Sequence, residues 1–221
     1  MIRAVLFDLD ETLLDRTASV TAFLADQYAR FAAELGGCTL ARFQERFLAL
    51  DARGSVRKSV VYPALLAEFG GIADTAALVA DYYAGSWRHA RPMPGMDETL
   101  AILRGRGLGL GIVSNGETHL QWSNIDGLGL RERMDAVLIS QDEGLRKPDA
   151  ALFQRAAGRL GLEPEDCVFV GDNPEADVLG ALRVGMHAVW LWNGLAWPKG
   201  EVTVPTIRRL SELVDLPLLN P

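Results

Sequence analysis

The chain reads as an α/β protein, a parallel sheet covered by helices on both faces and interrupted by an all-helical insert. Three observations predict this. Short apolar runs alternate with stretches of helical spacing through most of the sequence. Residues able to do chemistry stand just after those runs, and in open parallel sheets ligands bind at the carboxyl ends of the strands. Between the first run and the second lies a long segment of helical texture with no convincing strand.

The first run is Ala4-Val5-Leu6-Phe7, which stops at Asp8. Its continuous apolarity fits a strand buried on both faces. From Arg16 to about Trp87, apolar residues recur at helical spacing: Phe23, Tyr28, Phe31 and Leu35, then Phe43, Phe47 and Leu50, then Tyr62, Leu65, Leu66 and Phe69, then Leu78, Tyr82 and Tyr83. Gly36-Gly37, Gly54 and Gly70-Gly71 punctuate them, which predicts three to four helices. After Pro92-Met93-Pro94-Gly95 a helix over Met96–Arg106 leads to the strand Leu110–Val113, which ends at Ser114-Asn115-Gly116. Further helical stretches lead to strands at Ala136–Ile139, Cys167–Val170 and His187–Leu191, with helices expected around Ala150–Leu160 and Glu175–Leu182. The tail from Val202 onward is broken by proline, and one small strand or helix is expected there. The expected division is a core of residues 1–15 and 91–221 and an insert of residues 16–90.

Bulk properties narrow the function. A chain of 221 residues accommodates a core domain and a smaller inserted one. Hydrophobic residues at 49% and charged residues at 23% are ordinary for a globular protein. No apolar run reaches the roughly 18 residues needed to span a bilayer. The apolar stretch at the start is too short for a secretory signal and lacks a cleavage site, so a cytoplasmic location is expected. A formal net charge of −7 disfavours nucleic-acid polymers and anionic membranes as partners. A small anionic substrate remains compatible where cations are concentrated locally. Cys38 and Cys167 have no metal-ligand spacing and read as two free thiols. The only lysines are Lys58, Lys147 and Lys199. Gly105, Gly107, Gly109 and Gly111 precede a strand instead of following one, the wrong context for a dinucleotide fingerprint. His89, His119 and His187 lack metal spacing, and Trp190, Trp192 and Trp197 read as packing at the sheet edge.

The chemistry-bearing residues fall in four segments. Asp8-Leu9-Asp10-Glu11-Thr12 sets two carboxylates on one face of an extended chain. Such a pair is costly unless a cation neutralises it or one member stays protonated. An ionised Asp8 can attack phosphorus and form an acyl phosphate, while a protonated Asp10 can serve the leaving oxygen and then the attacking water. Surface aspartates in a turn give the same local pattern. Asp172 follows Val168-Phe169-Val170-Gly171 and can join Asp8 as a hard oxygen ligand, a set that suits Mg2+. An Asp at this junction also suits a helix cap. Asp177, about one helical turn on, is expected to support the site by holding Lys147 or a metal-bound water, with Asn173 in the same outer layer. Lys147 precedes Pro148 and a helix, where a fixed ammonium can hold a phosphate. Ser114 offers a hydroxyl, and the backbone amides of Asn115 and Gly116 offer N–H donors.

Taken together and in this order, the motifs resemble the haloacid-dehalogenase superfamily, and within it the phosphatases with a helical cap inserted after the first strand. The DxDxT motif is matched by Asp8, Asp10 and Thr12, the second-strand Ser by Ser114, the Lys by Lys147, and the closing Gly-Asp with a later Asp by Gly171, Asp172 and Asp177. The resemblance covers nearly the whole chain. It implies a doubly wound, Rossmann-like core, a cap that closes over the site, and a Mg2+ ion met by Asp8, Asp172 and the backbone carbonyl of Asp10. It also implies Thr12 among the phosphate contacts and a small phosphorylated metabolite as substrate. One departure is Glu11, where many members carry Gly.

Rival readings can be weighed on the same residues. Dehalogenases and phosphonate hydrolases of this superfamily lack an acid at the position of Asp10, although Lys58 imitates a phosphonatase cap lysine. A sugar phosphomutase shares all four motifs. A non-catalytic binding module is expected to have lost one of Asp8, Asp10, Lys147 or Asp172, and all are present. Substrate selection in capped members lies in the cap, where Arg16, Arg53, Arg57, Lys58 and Tyr62 are the candidates, with Trp87 and His89 near the linker. The cluster Arg53–Lys58 also fits a solvated connection between helices.

Overall fold

The structure, a computed structural model, describes residues 1–198, 200 and 203–220. Lys199, and Val202 where the expected tail begins, lie outside the described residues. The chain divides into two compact units, one of Met1–Asp15 with Pro92–Pro221 and the other of Arg16–Arg91.

The first unit is built on six parallel strands in the order β3-β2-β1-β4-β5-β6. These are β1 (Ala4–Phe7), β2 (Gly109–Ser114), β3 (Ala136–Ile139), β4 (Cys167–Gly171), β5 (His187–Leu191) and β6 (Thr206–Ile207). All four residues of β1 and all five of β4 are buried, which is why they read as unbroken apolar runs. The expected tail element is β6, followed by short 3-10 turns at Leu210–Asp215 and Pro217–Leu219. Strand numbers run outward from β1 in both directions, so the winding reverses between β1 and β4. This is the doubly wound, Rossmann-like arrangement, and its crevice lies beyond the carboxyl ends of those two strands. Register brings the ends together: Phe7 pairs with Ile112 on one side and Val170 on the other.

Helices α5 (Met96–Gly105), α6 (Thr118–Gly127), α7 (Ser140–Glu143), α8 (Ala150–Arg159) and α9 (Gly180–Leu182) complete this unit. One core cluster joins Leu6, Val113, Leu138, Phe153, Phe169 and Val178, with the rings of Phe153 and Phe169 edge to face at 5.1 Å. The regular helix expected over Glu175–Leu182 is not what forms. Pro174–Leu179 winds as a π-helical turn before the short α9. The Asn173 side chain accepts hydrogen bonds from the backbone amides of Glu175 and Ala176 and caps that turn. Inserted π turns of this kind occur often at functional sites.

The second unit holds α1 (Arg16–Phe31), α2 (Leu40–Asp51), α3 (Lys58–Phe69) and α4 (Thr75–Gly85), and no strand among the described residues. Thr39 caps α2 and Asp74 caps α4 through their side-chain oxygens. The helical spacing of aromatics in the sequence becomes an aromatic core: Phe47 lies 5.3 Å from Tyr62 and 6.0 Å from Tyr82, and Phe23 meets Tyr82 edge-on at 5.3 Å. Between α2 and α3, Ala52, Arg53 and Gly54 all take positive φ, at 46°, 58° and 86°. Asp51 holds that turn, its carboxylate accepting from the Gly54 amide at 2.8 Å.

Candidate active site

Three segments far apart in sequence meet at Lys147. Its ammonium donates to Asp8 Oδ1 at 2.7 Å and pairs with Asp177 at 2.8 Å. Asp8 is carried there by β1, and its amide donates to the carbonyl of Val170 on β4 at 2.9 Å. Asp172 leaves the end of the neighbouring β4, and oxygens of Asp8, Asp172 and Asp177 all lie within 4.8 Å of one another. The carboxylates outnumber the single ammonium, and they form a set of hard oxygen donors that fits a small divalent cation.

Electrostatics follow from this crowding. Burial opposes the charge on Lys147, but Asp177 and Asp8 outweigh it and hold its pKa above the ordinary lysine value. Burial pushes Asp177 up to about 6, against the pull of Lys147, and the negative charge of Asp8 adds to the rise. The π turn delivers Asp177 to this position. Its other oxygen accepts from the Asn173 amide at 2.9 Å. A Cβ on Gly171 would lie 2.3 Å from that carboxylate, so only glycine leaves room for it. Asn173 therefore meets the acidic cluster through its backbone, while its side chain serves the helix cap.

Asn115 and Ser114 take up different work. The side chain of Asn115 clamps the backbone of Lys147 in both directions, donating to its carbonyl and accepting from its amide, each at 2.9 Å. The Lys147–Pro148 peptide is cis. Ser114, fully buried at the end of β2, accepts at 2.7 Å from the side-chain amide of Gln121 on α6, and the same nitrogen donates to Asp10 Oδ2 at 2.9 Å. Thr12 is buried in the turn after β1, its amide donating to the Leu9 carbonyl. Glu11 sits at φ 60°, in the left-handed region that glycine enters without strain.

Two residues expected to meet substrate have other partners in the structure. The amide of Gly116, read as a phosphate donor, already donates to Ser140 Oγ at 3.0 Å, because α6 starts only at Thr118 and Gly116 still belongs to the loop. Tyr62, read as a substrate contact, is fully buried in the helical unit, and its hydroxyl donates to Gln27 at 2.6 Å. Burial raises the Tyr62 pKa well above the usual phenol value, so it remains a donor.

The cations of the helical unit divide. Arg53 and Arg57 are exposed. Arg16 and Lys58 are buried and close on Asp51, which is itself fully buried: Arg16 meets it at 2.7 Å, and the Lys58 ammonium donates to its other oxygen. Lys58 also lies 5.0 Å from the centre of the Tyr82 ring.

Several residues of these constellations carry no signal in the sequence. Asp51 ends a helix and looks like any surface carboxylate. Gln121 and Asn193 belong to no motif. Asn193 follows β5 and donates to Asp172 Oδ2 at 2.7 Å, and the Trp190 indole donates to the Asp172 carbonyl at 3.0 Å.

A family of haloacid dehalogenase-like hydrolases matches residues 2–185. The chain belongs to that family. It is 32% identical to a phosphoserine phosphatase of Thermus thermophilus, over 94% of this chain and 95% of the relative. It is 33% identical to a glyceraldehyde 3-phosphate phosphatase of Methanopyrus kandleri, over 98% and 97%. Among solved structures, the HAD-hydrolase YfnB of Bacillus subtilis, bound to magnesium, superposes with a TM-score of 0.76 at 26% identity, covering 100% of this chain and 99% of that one. Among the described residues, no helix of this hydrolase is long and apolar enough to cross a membrane.

Proposed function

We propose that this hydrolase is a magnesium-dependent phosphatase that cleaves phosphate monoesters of small metabolites through a phospho-aspartate on Asp8. The observation that carries the reading is the meeting of Asp8 and Asp177 on Lys147, with Asp172 grouped beside those carboxylates and the acid Asp10 two residues beyond Asp8. The phosphatase names of the two relatives support it. Both are named for phosphate esters of small metabolites, which favours a compact substrate here.

The residues divide the work as follows. Asp8 attacks phosphorus, and the bond from phosphorus to the leaving oxygen breaks. Asp10 gives that oxygen its proton, then takes one from the water that attacks the acyl phosphate, and the bond between Asp8 and phosphorus breaks. Lys147 and Ser114 hold phosphate oxygens, and Asp177 and Asn115 keep Lys147 in place. Asp8 and Asp172, with the backbone carbonyl of Asp10, would hold Mg2+, whose charge offsets that of the phosphate. Asp10 is what separates this reading from dehalogenation, in which a halide leaves without a proton. The helical unit is proposed as the cap that selects substrate, with its exposed Arg53 and Arg57 as contributors.

A panel of phosphorylated metabolites assayed with Mg2+ tests the proposal, with Asp8→Asn run beside it. Turnover of at least one small monoester by the wild type, and none by folded Asp8→Asn, is expected. Inactivity of the wild type on every member with Mg2+ present would refute it.

A further inference from the structure

We infer that Gln121 is a positioning residue whose single side-chain amide holds the carboxyl of Asp10 and the hydroxyl of Ser114 in one fixed arrangement for the reaction. The inference rests on the phosphatase reading above. Gln121 stands on α6 and is only 2% exposed. Its nitrogen donates to Asp10 Oδ2 at 2.9 Å and to Ser114 Oγ at 2.7 Å. A primary amide nitrogen has two hydrogens and accepts none, so both are in use. The opposite face of the amide is fixed as well: Asn124 donates to Gln121 Oε1 at 3.2 Å. In this arrangement the nitrogen faces the two catalytic groups.

Each of those groups is ambiguous by itself. A carboxylic acid can carry its proton on either oxygen, and a serine hydroxyl can donate or accept. The N–H on Asp10 Oδ2 fixes the rotation of that carboxyl about its Cβ–Cγ bond. With an N–H already pointing at a lone pair of Ser114 Oγ, the serine's own hydrogen is directed away from Gln121, free to meet a phosphate oxygen that can only accept. In the first half-reaction the Asp10 proton moves to the leaving oxygen as that oxygen parts from phosphorus and Asp8 bonds to phosphorus. In the second, a proton of water moves to the Asp10 carboxylate as the water oxygen bonds to phosphorus and Asp8 is released. Gln121 gains and loses no proton in either step.

The backbone makes room for this arrangement. A Cβ on Gly116 would lie 2.7 Å from Gln121 Cγ and 3.0 Å from its amide nitrogen, closer than real side chains approach. The glycine of Ser114-Asn115-Gly116 therefore does more than turn the chain. It lets the Gln121 side chain lie against the loop and reach back to the end of β2.

The test compares two monoesters in wild type, Asp10→Asn and Gln121→Met. One is a simple alkyl phosphate, whose leaving oxygen needs a proton, and the other is p-nitrophenyl phosphate, whose leaving group needs little help. Methionine keeps the length of glutamine and removes the donor. For Gln121→Met, kcat/KM on the alkyl ester is expected to fall about tenfold or more, and on the aryl ester about threefold or less. Equal losses on both esters would mark Gln121 as merely structural, and no loss on either would mark it as idle; both overturn the inference. If Gln121→Met does not fold by circular dichroism, Gln121→Asn keeps an amide one methylene too short to reach Asp10, and the same split is expected of it. The two levels of the argument fail separately. A wild type that cleaves neither ester sinks the phosphatase reading and this inference with it. An Asp10→Asn variant that shows the split while Gln121→Met does not sinks the inference alone.

Discussion

At Lys147 the ammonium is buried between Asp8 at 2.7 Å and Asp177 at 2.8 Å, so its position is set before any substrate binds. Preorganisation of this kind lets a charged group act without reorganising during the reaction. Asp172 is fixed by a different element. Asn193 donates to one of its oxygens at 2.7 Å, and Trp190 donates to its backbone carbonyl. Outer partners of this type orient a ligand toward its ion, and losing one typically costs about 10–100-fold in metal affinity. Asn193→Ala should accordingly raise the Mg2+ concentration needed for half-maximal activity by about that range, and should reduce the rise in Tm that saturating Mg2+ gives the wild type. An unchanged Mg2+ dependence would show that Asn193 does not position Asp172. Cys167 makes a second prediction at this scale. Burial pushes its thiol up to about 11, and the residue is 0% exposed. It should resist a thiol reagent at neutral pH until the protein unfolds, whereas rapid native labelling would contradict its placement in the core.

At the scale of elements, the strand ends do most of the positioning. β1, β2 and β4 were legible because a strand buried on both faces reads as an apolar run, and each run gives way to residues of another kind at its end: Asp8, Ser114 followed by Asn115, and the Gly171-Asp172 pair. The helical unit was legible from the spacing of Phe23, Phe43, Phe47 and Tyr82, all of them buried. The π turn was not, because Glu175–Leu182 has an ordinary helical composition and the wider winding depends on Asp177 reaching Lys147, a contact distant in sequence. The packing of Tyr62 was not legible for a related reason: a tyrosine beside cations looks like a binding residue until its hydroxyl is seen on buried Gln27. Gly171→Ala should bring Cβ onto the Asp177 carboxylate, lowering stability by about 1–3 kcal/mol, as overpacking does, and lowering activity. Wild-type stability and turnover in that variant would contradict the close approach. In the helical unit, Asp51→Ala leaves Arg16 and Lys58 buried without their shared carboxylate, and loss of a buried ionic partner typically costs about 3–5 kcal/mol. Chemical denaturation of that variant should show such a loss, and a loss below about 1 kcal/mol would contradict the role given to Asp51.

At the scale of the whole molecule, the winding of the sheet explains why the chemistry is where it is. The reversal between β1 and β4 opens a crevice at their carboxyl ends, and the chain places Asp8, Asp10 and Asp172 there, with Lys147 brought in after β3 and held by Asn115. The insertion of a helical unit between β1 and β2 leaves the register of those strands intact, with Ala4 opposite Gly109 and Phe7 opposite Ile112. The proposed function makes one central claim, that phosphate is carried on Asp8 during turnover. Rapid quenching during turnover of p-nitrophenyl phosphate with Mg2+, followed by borohydride reduction, tests it directly, because an aspartyl phosphate is reduced to homoserine. Peptide mapping of the quenched wild type should find homoserine at position 8 and nowhere else, and none in Asp8→Asn. Turnover that leaves position 8 as aspartate at every quench time, or homoserine at another position, would contradict the account.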